Sequence, residues 1–121
     1  MFSKITSVLV TAGLFATLLL SSDARADRIG GPVFHTDTVL AHQTDVFESA
    51  FYRGSAHIEV NGDGDTDLDC GVVDSAGRLV VTDTDDTDYC ILDFTVVRAG
   101  TFTLKIVNQG NVRNRYTVVI R

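Results

Sequence analysis

The chain has no Trp, one Pro, one Met and two Cys in 121 residues, and its ten Lys and Arg are outnumbered by sixteen Asp and Glu. Each shortage excludes something. Without a basic stripe the chain repels phosphate backbones and anionic lipid, which removes nucleic acid and membrane surfaces from its partners. Two Cys at a spacing unlike C-x-x-C, with no adjacent His, give no zinc site. No G-x-S-x-G elbow, H-E-x-x-H pair or Gly-rich phosphate loop occurs. The length leaves no room for a two-domain enzyme.

One long apolar run is present, Ile5–Leu20. It follows the positive start Met1–Lys4 and precedes Ala24-Arg25-Ala26. Charge, an apolar stretch of 16 residues and an A-x-A cleavage site together read as a secretory signal peptide over residues 1–26. No Cys at the junction invites a lipid anchor. The single domain is then 27–121, exported to the periplasm or medium, with no membrane contact after cleavage. Its charge is 8 Lys+Arg against 15 Asp+Glu, or −7.

Within 27–121 there are 14 Val, 11 Thr and 5 Ile, against 13 for Ala, Leu, Glu and Lys together. β-Branched side chains lose rotamer freedom in a helix and pack well on a pleated sheet, so the domain is all-β. Phe34–Ala41 and Asp45–Tyr52 alternate imperfectly. Residues 56–60 alternate clearly, and 66–74, 78–83, 88–96, 101–108 and the run ending at Ile120 follow as further candidate strands, with turn residues between them. Leu68, Cys70, Val72, Cys90, Leu92, Phe94, Phe102, Leu104, Ile106, Tyr116, Val118 and Ile120 fall on inward positions. About eight strands with one wet face per sheet predict an antiparallel β-sandwich.

In an exported chain the two Cys are expected to pair, and both inward positions lie near one end of the sandwich, so a Cys70–Cys90 disulfide is predicted. A hairpin centred on Ala76 would set Asp69 near Asp83, Asp67 near Asp85 and Asp65 near Thr87. That gathers Asp63, Asp65, Asp67 and Asp69 against Asp83, Asp85, Asp86 and Asp88. Carboxylates so crowded suit a hard cation, and Asp63, Asp65, Asp67, Asp69 and Asp85 are the candidate Ca²⁺ ligands. The run from Asp63 to Asp74 has the acidic spacing of an EF-hand loop but puts Leu68 at the obligatory Gly, and strands flank it. The same acids read equally well as turn formers and as the wet face of an edge strand.

For catalysis the residues offer little. Ser49, Ser55 and Ser75 lie in no nucleophile motif, and His35, His42 and His57 read as solvated surface histidines. No enzyme is expected.

Gly62–Cys70 (GDGDTDLDC), Val72–Val80 (VVDSAGRLV), the Asp83–Asp88 loop, Ala99–Lys105 (AGTFTLK) and the ending Asn108-Gln-Gly110 with Asn114-Arg-Tyr116 resemble the bacterial pre-peptidase C-terminal domain over roughly 36–121. The resemblance implies a jelly-roll-like sandwich of the kind appended to secreted proteases. It also implies a non-catalytic role, and in collagenase-attached relatives the binding of calcium and matrix. On that basis the chain is expected to be a stand-alone module that binds an unknown protein or extracellular polymer, with a structural Ca²⁺ as a candidate ligand; the alternative is an envelope or matrix component without a specific ligand.

Overall fold

The computed structural model describes residues 27–121; the expected signal peptide lies outside the described residues. Among these, all regular structure is β: β1 (Val33–Val39), β2 (Thr44–Phe51), β3 (Gly54–Asn61), β4 (Leu68–Val73), β5 (Leu79–Asp83), β6 (Tyr89–Val96), β7 (Gly100–Asn108) and β8 (Asn114–Ile120). The strands form two antiparallel sheets in the orders β1-β8-β3-β6 and β2-β7-β4-β5. That crossing order is the jelly roll. Each strand lies within two or three residues of the run expected from alternation.

The core lies between the sheets. Fully buried are Phe51 and Val39, with Ile58, Val60, Leu68, Val72, Leu92, Val96, Ile106, Tyr116, Val118 and Ile120 interleaved from both sides. At one end Phe51, Phe94 and Phe102 meet edge-on and tilted, with ring centroids 5.4–5.9 Å apart. Such contacts add about 0.5–1.5 kcal/mol per pair beyond the burial itself. Near the other end Tyr116 on β8 donates its hydroxyl proton to Asp45 Oδ2 on β2 at 2.5 Å, tying the sheets by a polar bond. The Cys70–Cys90 disulfide does the same covalently between β4 and β6, across a Cα–Cα distance of 6.2 Å.

One expected detail is corrected. Cys70 faces Asp83, Gly71 faces Thr82 and Val72 faces Val81, but Val73 faces Leu79. Val80 is an extra residue on β5, a β-bulge, which shifts the hairpin by one position relative to a regular two-residue count. Asp83 therefore opposes Cys70, not Asp69.

Successive strands reverse direction, so connections alternate between the two ends of the sandwich. Residues 40–43, 62–67, 84–88 and 109–113 share one end. Residues 52–53, 74–78 and 97–99 share the other.

Candidate functional site

The end formed by 40–43, 62–67, 84–88 and 109–113 carries the acidic residues, and two buried asparagines build it. Asn114 donates to Thr66 Oγ1 (3.1 Å) and to Asp88 Oδ2 (3.0 Å), and its Oδ1 accepts the Asp63 N–H. Asn108 donates to the Val39 and Val112 carbonyls and accepts the Gly110 N–H. Each Asn thereby satisfies polar groups of separate loops in a place water does not reach. Gly62 and Gly110 are needed because of this packing. A Cβ at Gly62 would collide with the Asp88 carboxylate and Asn114, and one at Gly110 would meet Thr66 at 2.6 Å.

Most of the acids serve the backbone. Asp63 accepts the N–H of Asp65 (3.0 Å) and of Arg115 (2.9 Å), and the Arg115 N–H, its main influence, holds the Asp63 carboxyl below the usual range. Asp88 accepts the Gly64 N–H at 2.6 Å. Asp85 accepts both the hydroxyl and the N–H of Thr87, which lower its carboxyl too. Asp83 Oδ2 accepts the Ile91 N–H of β6 at 2.9 Å. Asp65 lines a shallow groove with Leu40, Ala41, Asn111, Val112 and Arg113. Beside it His42 adopts φ 58° and donates Nε2–H to Asn111 Oδ1 at 2.8 Å. A non-glycine residue in this left-handed region costs about 1 kcal/mol or more and is held there by its neighbours.

Asp67 and Asp69 differ from the rest. The Oδ1 atoms of both are buried without a hydrogen-bond partner. Asp69 Oδ2 accepts from Gln109 Nε2 at 3.1 Å. Burial first, then the charges of Asp69, Asp86 and Asp85, push the Asp67 carboxyl above its ordinary value. Two partnerless carboxylate oxygens in a negative field suit a hard cation or a shared proton. Among the described residues no three His, Cys, Asp or Glu side chains converge on one point. What this end offers a cation is thus the Asp67–Asp69 pair, with Asp63 and Asp85 already engaged by N–H donors.

A second cluster was not legible in the sequence. His57 points outward from β3, as expected, yet it is not simply solvated. Its Nδ1 lies 2.5 Å from Asp93 Oδ1 on β6, and its Nε2 lies 2.8 Å from Glu59 Oε2 two residues on. Glu59 is also met by Arg121 at 3.5 Å and by the Tyr89 hydroxyl. The hydrogen bond to Asp93, then that to Glu59, raises the imidazole above 6.5, and His57 lowers the Glu59 carboxyl. With both ring nitrogens held, His57 presents no free base to a substrate. Period-two spacing could have paired His57 with Glu59; its facing of Asp93 depends on strands β3 and β6 meeting in register.

The fold and this geometry define the class: an eight-stranded jelly-roll module with an acidic loop end. No family pattern and no curated protein matches the chain by sequence. Among solved structures it is similar to the pre-peptidase C-terminal domain of collagenase from Bacillus anthracis, with a TM-score of 0.63, 11% identity, and coverage of 74% of this chain and 88% of that one. At that identity the likeness establishes the fold, the same fold that the sequence motifs suggested.

Proposed function

We propose that the chain is an exported, non-catalytic binding module that docks on a partner protein or extracellular polymer and carries one structural Ca²⁺ at its acidic end. The observation that carries the calcium reading is the pair of buried, partnerless oxygens on Asp67 and Asp69. Asp85 and Asp86 add to the field there, and a bound cation would supply the charge compensation these groups lack. Kinship of fold with an accessory domain of a collagenase supports a docking role beside a catalytic partner. The disulfide supports export, since such bridges persist in oxidising compartments. His57, with both nitrogens engaged, and Ser49, which accepts a hydrogen bond from Arg28 Nε, support the absence of a nucleophile–base pair. A purely structural role is favoured by one observation only, the use of Asp63, Asp85 and Asp88 as turn acceptors.

Melting temperature in CaCl₂, MgCl₂ and NaCl of equal ionic strength separates these readings. A specific site adds about 2.7 kcal/mol when free metal is roughly a hundredfold above Kd. At ~4–8 °C per kcal/mol that is a rise on the order of 10 °C or more. Mg²⁺, which demands tighter octahedral geometry, should do less. Asp67→Asn with Asp69→Asn should abolish the Ca²⁺ increment. Equal shifts in all three salts would reject the ion and leave a screened acidic surface.

A further inference from the structure

A β-sandwich of two open sheets has four edge strands, and unpaired edges invite strand addition unless they are guarded. Three edges here are guarded. β6 gives its Ile91 N–H to the Asp83 carboxylate. β5 has five residues and a bulge. β2 is covered at its end by the segment before β1, through Ile29 N–H to the Ala50 carbonyl and Tyr52 N–H to the Asp27 carbonyl.

β1 is different. It is seven residues long, Val-Phe-His-Thr-Asp-Thr-Val, pairs in unbroken register with β8, and contains no Lys, Pro or bulge. Phe34 to Asp37 are all exposed, and Phe34 is 79% exposed. Its open side can be read residue by residue. The Arg115 N–H of β8 is taken by Asp63, on the side away from β1. In an antiparallel ladder the N–H and C=O of one residue point the same way, and the direction alternates along the strand. Asn114, Tyr116 and Val118 therefore face β1 and bond Val39, Asp37 and His35, their partners in the register. Phe34, Thr36 and Thr38 are left with backbone groups toward the open edge. Thr38 agrees with this, because its N–H is taken by the Asp37 carboxylate at 2.8 Å.

We infer that β1 is a docking edge for a second copy of this chain, the two β1 strands pairing antiparallel about Thr36. Charge complementarity selects this occupant. Pairing about Thr36 sets Val33 opposite Val39, Phe34 opposite Thr38, and His35 opposite Asp37, each twice. The open-edge residues Phe34, Thr36 and Thr38 fall on the hydrogen-bonded positions. His35 and Asp37 fall on the intervening positions, where opposing side chains come closest. His35 and Asp37 lie 3.6 Å apart within one chain, and across the dimer axis each imidazole exchanges that partner for Asp37 of the other copy. The Asp37 carboxylate gives up the Thr38 N–H to the partner's Phe34 carbonyl and turns to the partner's His35, so no donor is left unmet. Two four-stranded sheets become one of eight. An edge contact of this size is a weak, reversible interface.

Sedimentation equilibrium on the purified full chain, over a concentration series into the millimolar range, tests this with two charge variants. One carries His35→Lys and Asp37→Lys, the other His35→Glu and Asp37→Glu. These side chains are about half exposed, 46% and 55% in the native protein, but the His35 ring packs edge-on against Phe47 at 5.2 Å, so circular dichroism of each variant first checks that it is folded. Wild type should dimerise reversibly. Each variant alone sets like charges opposite each other and should raise the dissociation constant about tenfold or more. An equimolar mixture should regain dimer. Amide exchange at Phe34, Thr36 and Thr38 should slow as wild-type concentration rises. A wild type that stays monomeric, a dimer indifferent to both charge variants, or concentration-dependent protection on β2 or β5 in place of β1 would overturn the inference.

Discussion

Removing the Cys70–Cys90 bridge tests how far the fold depends on being tied across its two layers. Cys70 lies on β4 in one sheet and Cys90 on β6 in the other, both buried, with a sequence separation of 20. On the chain-entropy relation, closing a loop of that length removes about 11 cal/mol/K from the unfolded chain, or about 3.3 kcal/mol at room temperature. Residues 27–121 make a small domain, for which each kcal/mol moves the melting temperature by ~4–8 °C. Reduction should therefore lower it by roughly 13–26 °C. The Cys70→Ala/Cys90→Ala variant should fall further, since it also loses two buried sulfur atoms and leaves a void.

Thermal melts followed by circular dichroism, oxidised, reduced and for the double variant, give the comparison. Urea titration supplies a second readout. An unfolded chain held at a crosslink exposes less surface, so the oxidised protein should show the smaller dependence of stability on denaturant. If reduction moves the melting temperature by less than about 4 °C, under 1 kcal/mol by the same scale, the entropy argument fails for this loop.

Three further outcomes are expected. The raised His57 value means its contribution is complete below the ordinary imidazole value of 6.5 and is lost as pH rises through the folded value; urea unfolding at about pH 5.5 and about pH 8.5 should show wild type losing more stability than His57→Ala, by ~0.2–1 kcal/mol for so exposed a pair. Tyr116→Phe leaves Asp45 without its donor, and stability should fall by about 1.5–3 kcal/mol, the range for hydrogen bonds to charged groups. Asp67→Asn should raise the melting temperature in metal-free buffer near neutral pH, because the raised Asp67 carboxyl opposes folding when charged; that penalty, and the variant's advantage, should shrink as pH falls through the folded value.

The strands were legible because a jelly roll wets one face of each sheet, and that imprints period two on nearly every segment. Leu68-Cys70-Val72 and Phe102-Leu104-Ile106 are buried on the expected face. The disulfide followed from the same parity. The bulge was not legible, since Leu79-Val80-Val81 puts three apolar residues in a row and nothing local marks the extra one. Nor was the division of labour among the acids. Asp63 is engaged by Arg115 at a separation of 52 residues, and His57 by Asp93 at 36. Only the assembled sheets decide which carboxylates meet a donor.

That division explains how so acidic an end can fold. Asp is abundant there because the four loops have N–H groups that no strand can satisfy, and a short carboxylate reaches them locally. Asp63, Asp83, Asp85 and Asp88 between them accept from the N–H of Asp65, Gly64, Thr87, Ile91 and Arg115. A charged acceptor strengthens such bonds and offsets part of the mutual repulsion. The offset stops at Asp67, just ahead of β4, and at Asp69 on it, each of which keeps an unpartnered Oδ1 although Gln109 meets the other oxygen of Asp69. Turn chemistry accounts for the acids that have donors, and it leaves these two unexplained. The case for a cation therefore rests on the exceptions to the turn pattern, and the number of acids at this end adds little to it.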